Sequence, residues 1–286
     1  MSGPSRRERQ ALGERLREMR ADARLSGRAL AAATGLHFTT VSKIENGARA
    51  PSQDDIRAWC AACGTGDQVP DLIAALSHAE TLYPEYSRQA RAGLRRMQQA
   101  HAALYERTTV FRIYETTLVP GLFATAGYAA AVLRFWSGFL GLADDGVDPA
   151  VRARLARQRV LYFGGRRFSV VLEEQALRTR VGGTGVMAEQ LARLLDAMSL
   201  PGVSIGIVPA AGARSAHTQG SFWIFDDSRV QVETVSAGLT ITQPGEIALY
   251  ASAFGLLKRS AVYGGDARRL VGRALRDLEA GPGGEA

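Results

Sequence analysis

Apolar residues recur at three- and four-residue spacing through the first eighty positions, and give way to alternating runs beyond about residue 110. Leu12, Leu16 and Met19 fall at i, i+4 and i+7 and predict a first helix, with Arg15, Arg17 and Arg20 around its other side. Leu30, Ala31 and Thr34 share one face of a second helix. Ser26 precedes it as an N-cap, and Gly35 follows it where a left-handed residue ends a helix. A third, short helix runs from about His37 to Asn46 and stops at Gly47. It turns Val41 and Ile44 inward and leaves Thr39, Thr40, Ser42, Lys43 and Asn46 facing out. Ser52 with Asp55 three residues on starts a fourth helix in capping-box fashion, and Gly64 ends it. A fifth, about Val69 to Ala79, completes a bundle of five.

The stretch from Tyr83 to Arg107 is helical in composition and joins this bundle to the second half of the chain. Its Arg88, Arg91, Arg95 and Arg96 suit either a phosphate contact or a solvated helix face, and the second reading is preferred. Strand signals then appear at Val110–Thr116, Phe168–Leu172, Val203–Val208, Ser221–Phe225 and Arg229–Val235. Asp226-Asp227-Ser228 joins the last two into a hairpin. Helices are predicted at Tyr128–Leu142, Val151–Tyr162, Glu174–Thr179, Val186–Met198, Glu246–Lys258 and Asp266–Leu278. The pattern divides the chain into an all-α head at 1–80, a helical linker at 81–109, an α+β domain at 110–280 and a disordered tail at 281–286. The α+β domain is expected to have a mixed or antiparallel sheet flanked by helices.

Composition refines this picture. The chain of 286 residues carries a net charge of +7. Residues 1–112 hold 17 basic against 12 acidic side chains (+5), and residues 113–286 hold 18 against 16 (+2). The excess thus lies with the helical head, as a phosphate-binding surface requires. Because 33 of the 35 cations are Arg, a GC-rich genome is a second source of the same bias. No stretch reaches the roughly 18 apolar residues of a membrane span, and the charged start has no apolar run behind it. A cytoplasmic, nucleoid-associated protein is expected. Cys60 and Cys63 form a C-x-x-C pair, but they share a helical face with Ile56 and Trp59, which predicts core packing. Zinc would need two further ligands, so no metal site is expected.

A surface helix of small hydroxyls, an amide and a cation matches the chemistry of base edges in a major groove. The run Gly35-Leu36-His37-Phe38-Thr39-Thr40-Val41-Ser42-Lys43-Ile44-Glu45-Asn46-Gly47, followed by Pro51-Ser52, resembles the helix-turn-helix of the phage repressor and Cro (XRE-type) family. The resemblance implies a five-helix helix-turn-helix head whose second motif helix lies in the major groove. Carried over by position, Phe38, Thr39 and Lys43 would face bases, with His37, Thr40 and Ser42 beside them. Ser26, Arg28, Asn46 and Arg49 would hold phosphates. Two residues depart from the family: His37 stands where Ser or Thr often caps the helix, and Phe38 where a polar reader is common. Phe38 either meets a thymine methyl or folds back onto Val41 and reads nothing.

A search for catalysis in the second half finds no surviving constellation. Gly183-Thr184-Gly185-Val186-Met187-Ala188 fits G-x-G-x-x-A but follows a helical stretch rather than a strand, so it is expected to be a helix-joining turn. There is no G-x-S-x-G, and Lys43 and Lys258 are the only lysines, which excludes a P-loop. His78 and His101 are placed on polar helices, and Ser215 and His217 in a solvated loop. Glu173-Glu174 and Asp226-Asp227 are read as caps and turn residues. No cofactor and no enzymatic activity are expected. Val119-Pro120-Gly121-Leu122 before Tyr128-Ala129, Arg154 with Arg157-Gln158, Leu172-Glu173-Glu174, Gln190-Leu191 and Val208-Pro209 resemble an actinobacterial C-terminal domain of unknown function. That domain follows XRE-type heads in WhiJ-like and antitoxin-like regulators. The combined resemblance implies a homodimeric transcriptional regulator on a palindromic operator, with a small partner protein encoded by a neighbouring gene. A small-molecule effector, suggested by Phe222, Trp223, Phe225 and His217, is the alternative. An effector of toxin type with an autoregulatory DNA-binding head is a third reading.

Overall fold

The computed structural model describes residues 6–78, 94–142, 146–216, 220–235 and 238–280. The chain divides into two compact units, residues 1–83 with 240–248, and residues 84–239 with 249–286. Arg88, Arg91, His217 and the tail at 281–286 lie outside the described residues.

The first unit holds five helices, α1 (Arg6–Asp22), α2 (Gly27–Thr34), α3 (Phe38–Glu45), α4 (Gln53–Cys63) and α5 (Val69–His78). Their ends follow the local signals. Ser26 accepts from the Ala29 amide and Gly35 is left-handed at φ 72°. Ser52 and Asp55 form a reciprocal capping box, and Gly64 closes α4 at φ 71°. Leu12, Leu16, Leu30, Val41, Ile44, Ile56, Trp59, Cys60 and Leu72 form one buried cluster, with Cys63 packed against it. The Trp59 indole N–H would be an orphan in this core, and it donates to the Leu16 carbonyl at 3.0 Å. Burial raises the Cys60 thiol above its ordinary value.

Arg20 departs from the sequence expectation. Helical periodicity places it on the outer side of α1, yet its Nε donates to Glu45 Oε1 at 2.6 Å and its Nη2 to Oε2 at 3.2 Å. Glu45 is only 7% exposed; a carboxylate so placed needs a cation, and Arg20 is long enough to reach back from the edge of the helix face.

In the second unit α6 (Leu94–Ala100) and α7 (Ala102–Arg107) lead into β1 (Val110–Glu115). After it come α8 (Ala126–Phe139), α9 (Val147–Ala156), β2 (Arg167–Glu173), α10 (Gln175–Arg178), α11 (Thr184–Ala197) and β3 (Val203–Val208). The hairpin β4 (Phe222–Phe225) and β5 (Arg229–Glu233), the short β6 (Gly238–Ile241), α12 (Pro244–Ser260) and α13 (Gly264–Ala280) complete the chain. The six strands form one sheet in the order β3-β2-β1-β4-β5-β6. β1 runs parallel to β2, β2 parallel to β3, and the hairpin is antiparallel to β1. The sheet is therefore mixed, and helices flank it.

Register sorts the side chains. Phe111 pairs with Phe168 on one side and Phe225 on the other, and the Phe111 and Phe168 rings stack at 4.7 Å. That face, with Ile113, Val170, Leu172, Ile205 and Ile207, joins residues of α7, α8, α9, α11 and α13 in a single apolar cluster. On the opposite face Phe222 meets Tyr250 of α12 at 5.1 Å. Trp223 and Phe225 thus lie on the face opposite Phe222 and Ile224, as alternation requires.

Some bounds differ from the periodic pattern. The helix expected at Val151–Tyr162 begins at Val147 and tightens into a 3-10 turn over Arg157–Leu161. β6, four residues long, offers no period to read. Glu174 holds the N-cap position of α10, though its side chain makes no cap bond there, and Glu173 ends β2 instead of capping a helix. Glu173 accepts from the Tyr114 hydroxyl at 2.8 Å and from both Nη atoms of Arg214 at 2.7 Å. Glu174 accepts from the Ala210 amide and from Arg178. Asp226 does occupy the turn, at φ 51°, and accepts from the Thr109 and Val110 amides. Gly182 and Gly183, at φ 72° and 90°, lead directly into α11, so the glycine-rich motif is a turn into a helix.

Candidate nucleic-acid interface

The outer face of α3 is built by what α3 buries. Val41 and Ile44 are 1% and 0% exposed and fix the helix's rotation. That leaves Thr39, Lys43 and Asn46 exposed and Thr40 and Ser42 half-buried. Two glycines set how deeply α3 sits. A Cβ on Gly13 of α1 would lie 2.4 Å from the Ile44 carbonyl oxygen, and one on Gly47 would lie 2.7 Å from the Gln10 amide nitrogen. Only the missing side chains let α1 approach the end of α3 backbone to backbone. The Arg20–Glu45 fork closes the same junction. Hydrogen bonding to Glu45, set against partial burial, holds Arg20 above the ordinary arginine range, and Arg20 Nη1 also donates to the Leu25 carbonyl at 2.8 Å.

His37 takes the position that a Ser or Thr would fill. Its backbone is extended, and Nδ1 accepts from the Thr39 amide at 3.3 Å. The Thr39 hydroxyl lies 2.8 Å from the same Nδ1. With Nδ1 as the acceptor of both, the ring proton sits on Nε2, and Nε2–H is a donor at the helix tip.

Phe38 is not folded into the core. Its ring remains 46% exposed and leans on α2 rather than on Val41. A Cβ on Gly27 would be 3.1 Å from the ring, and the Arg28 guanidinium lies over it at 5.9 Å. The contact joins the starts of α2 and α3 through Gly27, Arg28 and Phe38. Asn46 caps the end of α3; its Oδ1 accepts from Arg17 at 2.5 Å and its Nδ2 reaches Ser42 at 3.4 Å. Lys43 and Arg49 are exposed and form no ion pair among the described residues. Arg17, Gly13 and Glu45 are contributors that periodicity alone does not single out; each acts through a residue about thirty positions away.

In the second unit the pieces that carry the sequence resemblance meet one another. Gln158 donates to the Gly121 and Ala124 carbonyls at 3.1 and 2.7 Å. Gln190, fully buried, accepts from the Thr125 amide and donates to the Phe123 carbonyl. Both amides clamp the Val119–Thr125 segment onto the helices. Trp223 donates from Nε1 to Glu115 at 2.7 Å, while Phe222 and Phe225 are buried.

No helix among the described residues is long and apolar enough to cross a membrane. Among the described residues no group of three or more His, Cys, Asp or Glu is placed to hold a metal ion.

Comparison with known families finds two matches. A helix-turn-helix domain covers residues 11–76, from within α1 into α5. A domain of unknown function, DUF5753, covers residues 98–273, from α6 into α13. Neither the curated proteins nor the solved structures contain a match. With that domain spanning more than half of its length behind a helix-turn-helix head, the chain belongs to the DUF5753 family and is a DNA-binding regulator of helix-turn-helix type.

Proposed function

We propose that the protein is a sequence-specific transcriptional regulator of XRE type, acting in the cytoplasm on the nucleoid as a homodimer. The observation that carries this reading is the composition of the exposed face of α3. Thr39 and Lys43 project beside a capped N-terminus, while Val41 and Ile44 anchor the helix from below. Thr39 and Lys43 are the principal readers, with His37 Nε2–H, Thr40 and Ser42 beside them. Ser26, Arg28, Asn46 and Arg49 set register on phosphates, which position without specifying. Phe38 acts through Arg28, whose approach to the backbone it orients, and its open edge faces the groove. Two such heads on a palindromic operator would lie about one helical turn, ~34 Å, apart.

The second unit, in this reading, pairs the two copies and receives the signal. Phe135 and Phe139 of α8, 64% and 57% exposed, stack on each other and meet Trp136 edge-on. That aromatic face supports a protein partner, as in WhiJ-like and antitoxin-like regulators of actinobacteria.

Footprinting on DNA from upstream of the protein's own gene tests the reading. Two protected half-sites centred about 10 base pairs apart, or a multiple of that, are expected. Lys43→Ala should weaken binding to that DNA by about tenfold, as for a base contact of roughly 1–3 kcal/mol, and should leave random-sequence binding nearly unchanged. Equal loss on both DNAs would reduce Lys43 to a phosphate contact. A single protected half-site would contradict the dimer.

A further inference from the structure

One cluster in the second unit is left with surplus positive charge. Arg154 on α9 and Arg157 at the start of the adjoining 3-10 turn are three residues apart and share a face. The Nε–H groups of both are buried and donate to nothing among the described residues. Neither guanidinium forms an ion pair there. Arg157 donates from Nη2 to Gln98 Oε1 at 2.7 Å, and its flat face lies on the Tyr105 ring at 5.1 Å. Arg154 rests against bare backbone. A Cβ on Gly121 would fall 2.6 Å from its Nε, so the absence of that side chain gives the guanidinium its berth.

The surroundings feel this charge. His101, Tyr105, Glu115 and Tyr128 all have Arg154 in their field. His101 is brought down to about 4 by burial first, with Arg157 and Arg154 adding to it. Burial lowers Arg157 itself, and Arg154 adds to that too. Two carboxyls lie nearby: Glu115 is committed to the Trp223 indole, and Glu233 acts on Arg157 by its charge but forms no ion pair with it among the described residues. Two buried arginine Nε–H groups with no acceptor among the described residues cost stability, and such a cost is typical of a site that is completed by its ligand.

We propose that Arg154 and Arg157 form the binding site of a small oxyanion ligand, a carboxylate or phosphate compound, held by their unpartnered Nε–H groups. The Nε edge of a guanidinium presents parallel donors that match a carboxylate or phosphate. Stacking on Tyr105 and the bond to Gln98 pre-orient Arg157, so little order remains to be imposed on binding. The regulator reading enters only in the consequence of binding: the anion would be its effector. Occupancy of the site can be measured without DNA.

Thermal unfolding of the full chain is followed with inorganic phosphate, acetate, citrate or benzoate at millimolar concentration, ionic strength being held constant with sodium chloride. At least one anion is expected to raise the wild-type Tm by ~3 °C or more at ten times its Kd. Arg154→Met and Arg157→Met should lose that shift, and Arg276→Met, at an exposed position of α13, should keep it. Arg154→Met should also unfold at a higher temperature than wild type in the absence of anion, a sign opposite to that of a structural arginine. If Arg154→Met fails to fold, Gly121→Ala takes its place, since the new methyl displaces the guanidinium. No wild-type shift with any of the four anions, or an equal shift in all variants, overturns the proposal. A retained anion shift in a protein that binds no DNA would reject the regulator reading alone.

Discussion

His37 shows how one residue can serve as a cap and, in the proposed function, as a DNA contact as well. A hydroxyl in its place would satisfy one helix amide; the imidazole satisfies the Thr39 amide through Nδ1, engages the Thr39 hydroxyl, and presents Nε2–H besides. His37→Ala should therefore lose about 1 kcal/mol of head stability together with specific DNA affinity. His37→Ser should recover the first in denaturant titration and only part of the second in a binding assay. In the second unit Glu115 and His101 oppose each other in pH. Burial pushes Glu115 up to about 7, against donation from Trp223 and Ser221 and the field of Arg154, and with the Glu233 charge adding to the rise. Its contribution is present below pH 4.5 and is lost as pH rises through 7. His101, brought down to about 4, contributes above pH 6.5 and loses this as pH falls through 4. Between about pH 5 and 6.5 the two slopes offset one another. Glu115→Gln keeps an acceptor for Trp223 and removes one slope, so its stability relative to wild type should grow as pH rises from about 5 to 7. A constant difference between the two denaturation midpoints across that range would refute the assignment.

At the scale of elements, the side chains α3 buries set its rotation, and glycines on either side of the junction set its depth. Gly13 of α1 admits the Ile44 carbonyl, and Gly47, just beyond α3, admits the backbone of Gln10 of α1. Gly13→Ala puts a methyl into rigid backbone, so about 1–3 kcal/mol should be lost and DNA binding should fall with it; circular dichroism melts of the variant measure the first. The five helices and their ends are legible in the sequence because caps and left-handed glycines act within four residues: Ser26 with Gly35, and Ser52 and Asp55 with Gly64. The β4–β5 hairpin is legible for the same reason, through Asp226-Asp227-Ser228. The role of Gly13, the inward turn of Arg20, the strand order and β6 are not, since each depends on a partner far away in the chain. The α3 face is readable from Val41 and Ile44, but the lean of Phe38 toward Gly27 and Arg28 is hidden. Val119–Leu122 and Arg154–Gln158 are each conspicuous in the sequence; that Gly121 shelters Arg154 becomes visible only once the two are folded together.

At the scale of the molecule, charge and fold point to the same division of labour. Residues 1–112 carry +5 of the +7 net charge and contain the helix-turn-helix. Residues 113–286, most of the DUF5753 region, carry only +2, and within them Arg154 and Arg157 form no ion pair among the described residues. The most direct test of α3 as the recognition helix is the affinity of the purified chain for DNA from upstream of its own gene, against a scrambled duplex, across a salt series. Specific binding is expected, with log K falling against log salt by a slope of several phosphates, and the Thr39→Ala/Lys43→Ala variant should descend to the scrambled level. Equal, weak and salt-sensitive binding to both duplexes, unchanged in that variant, would contradict that role for α3.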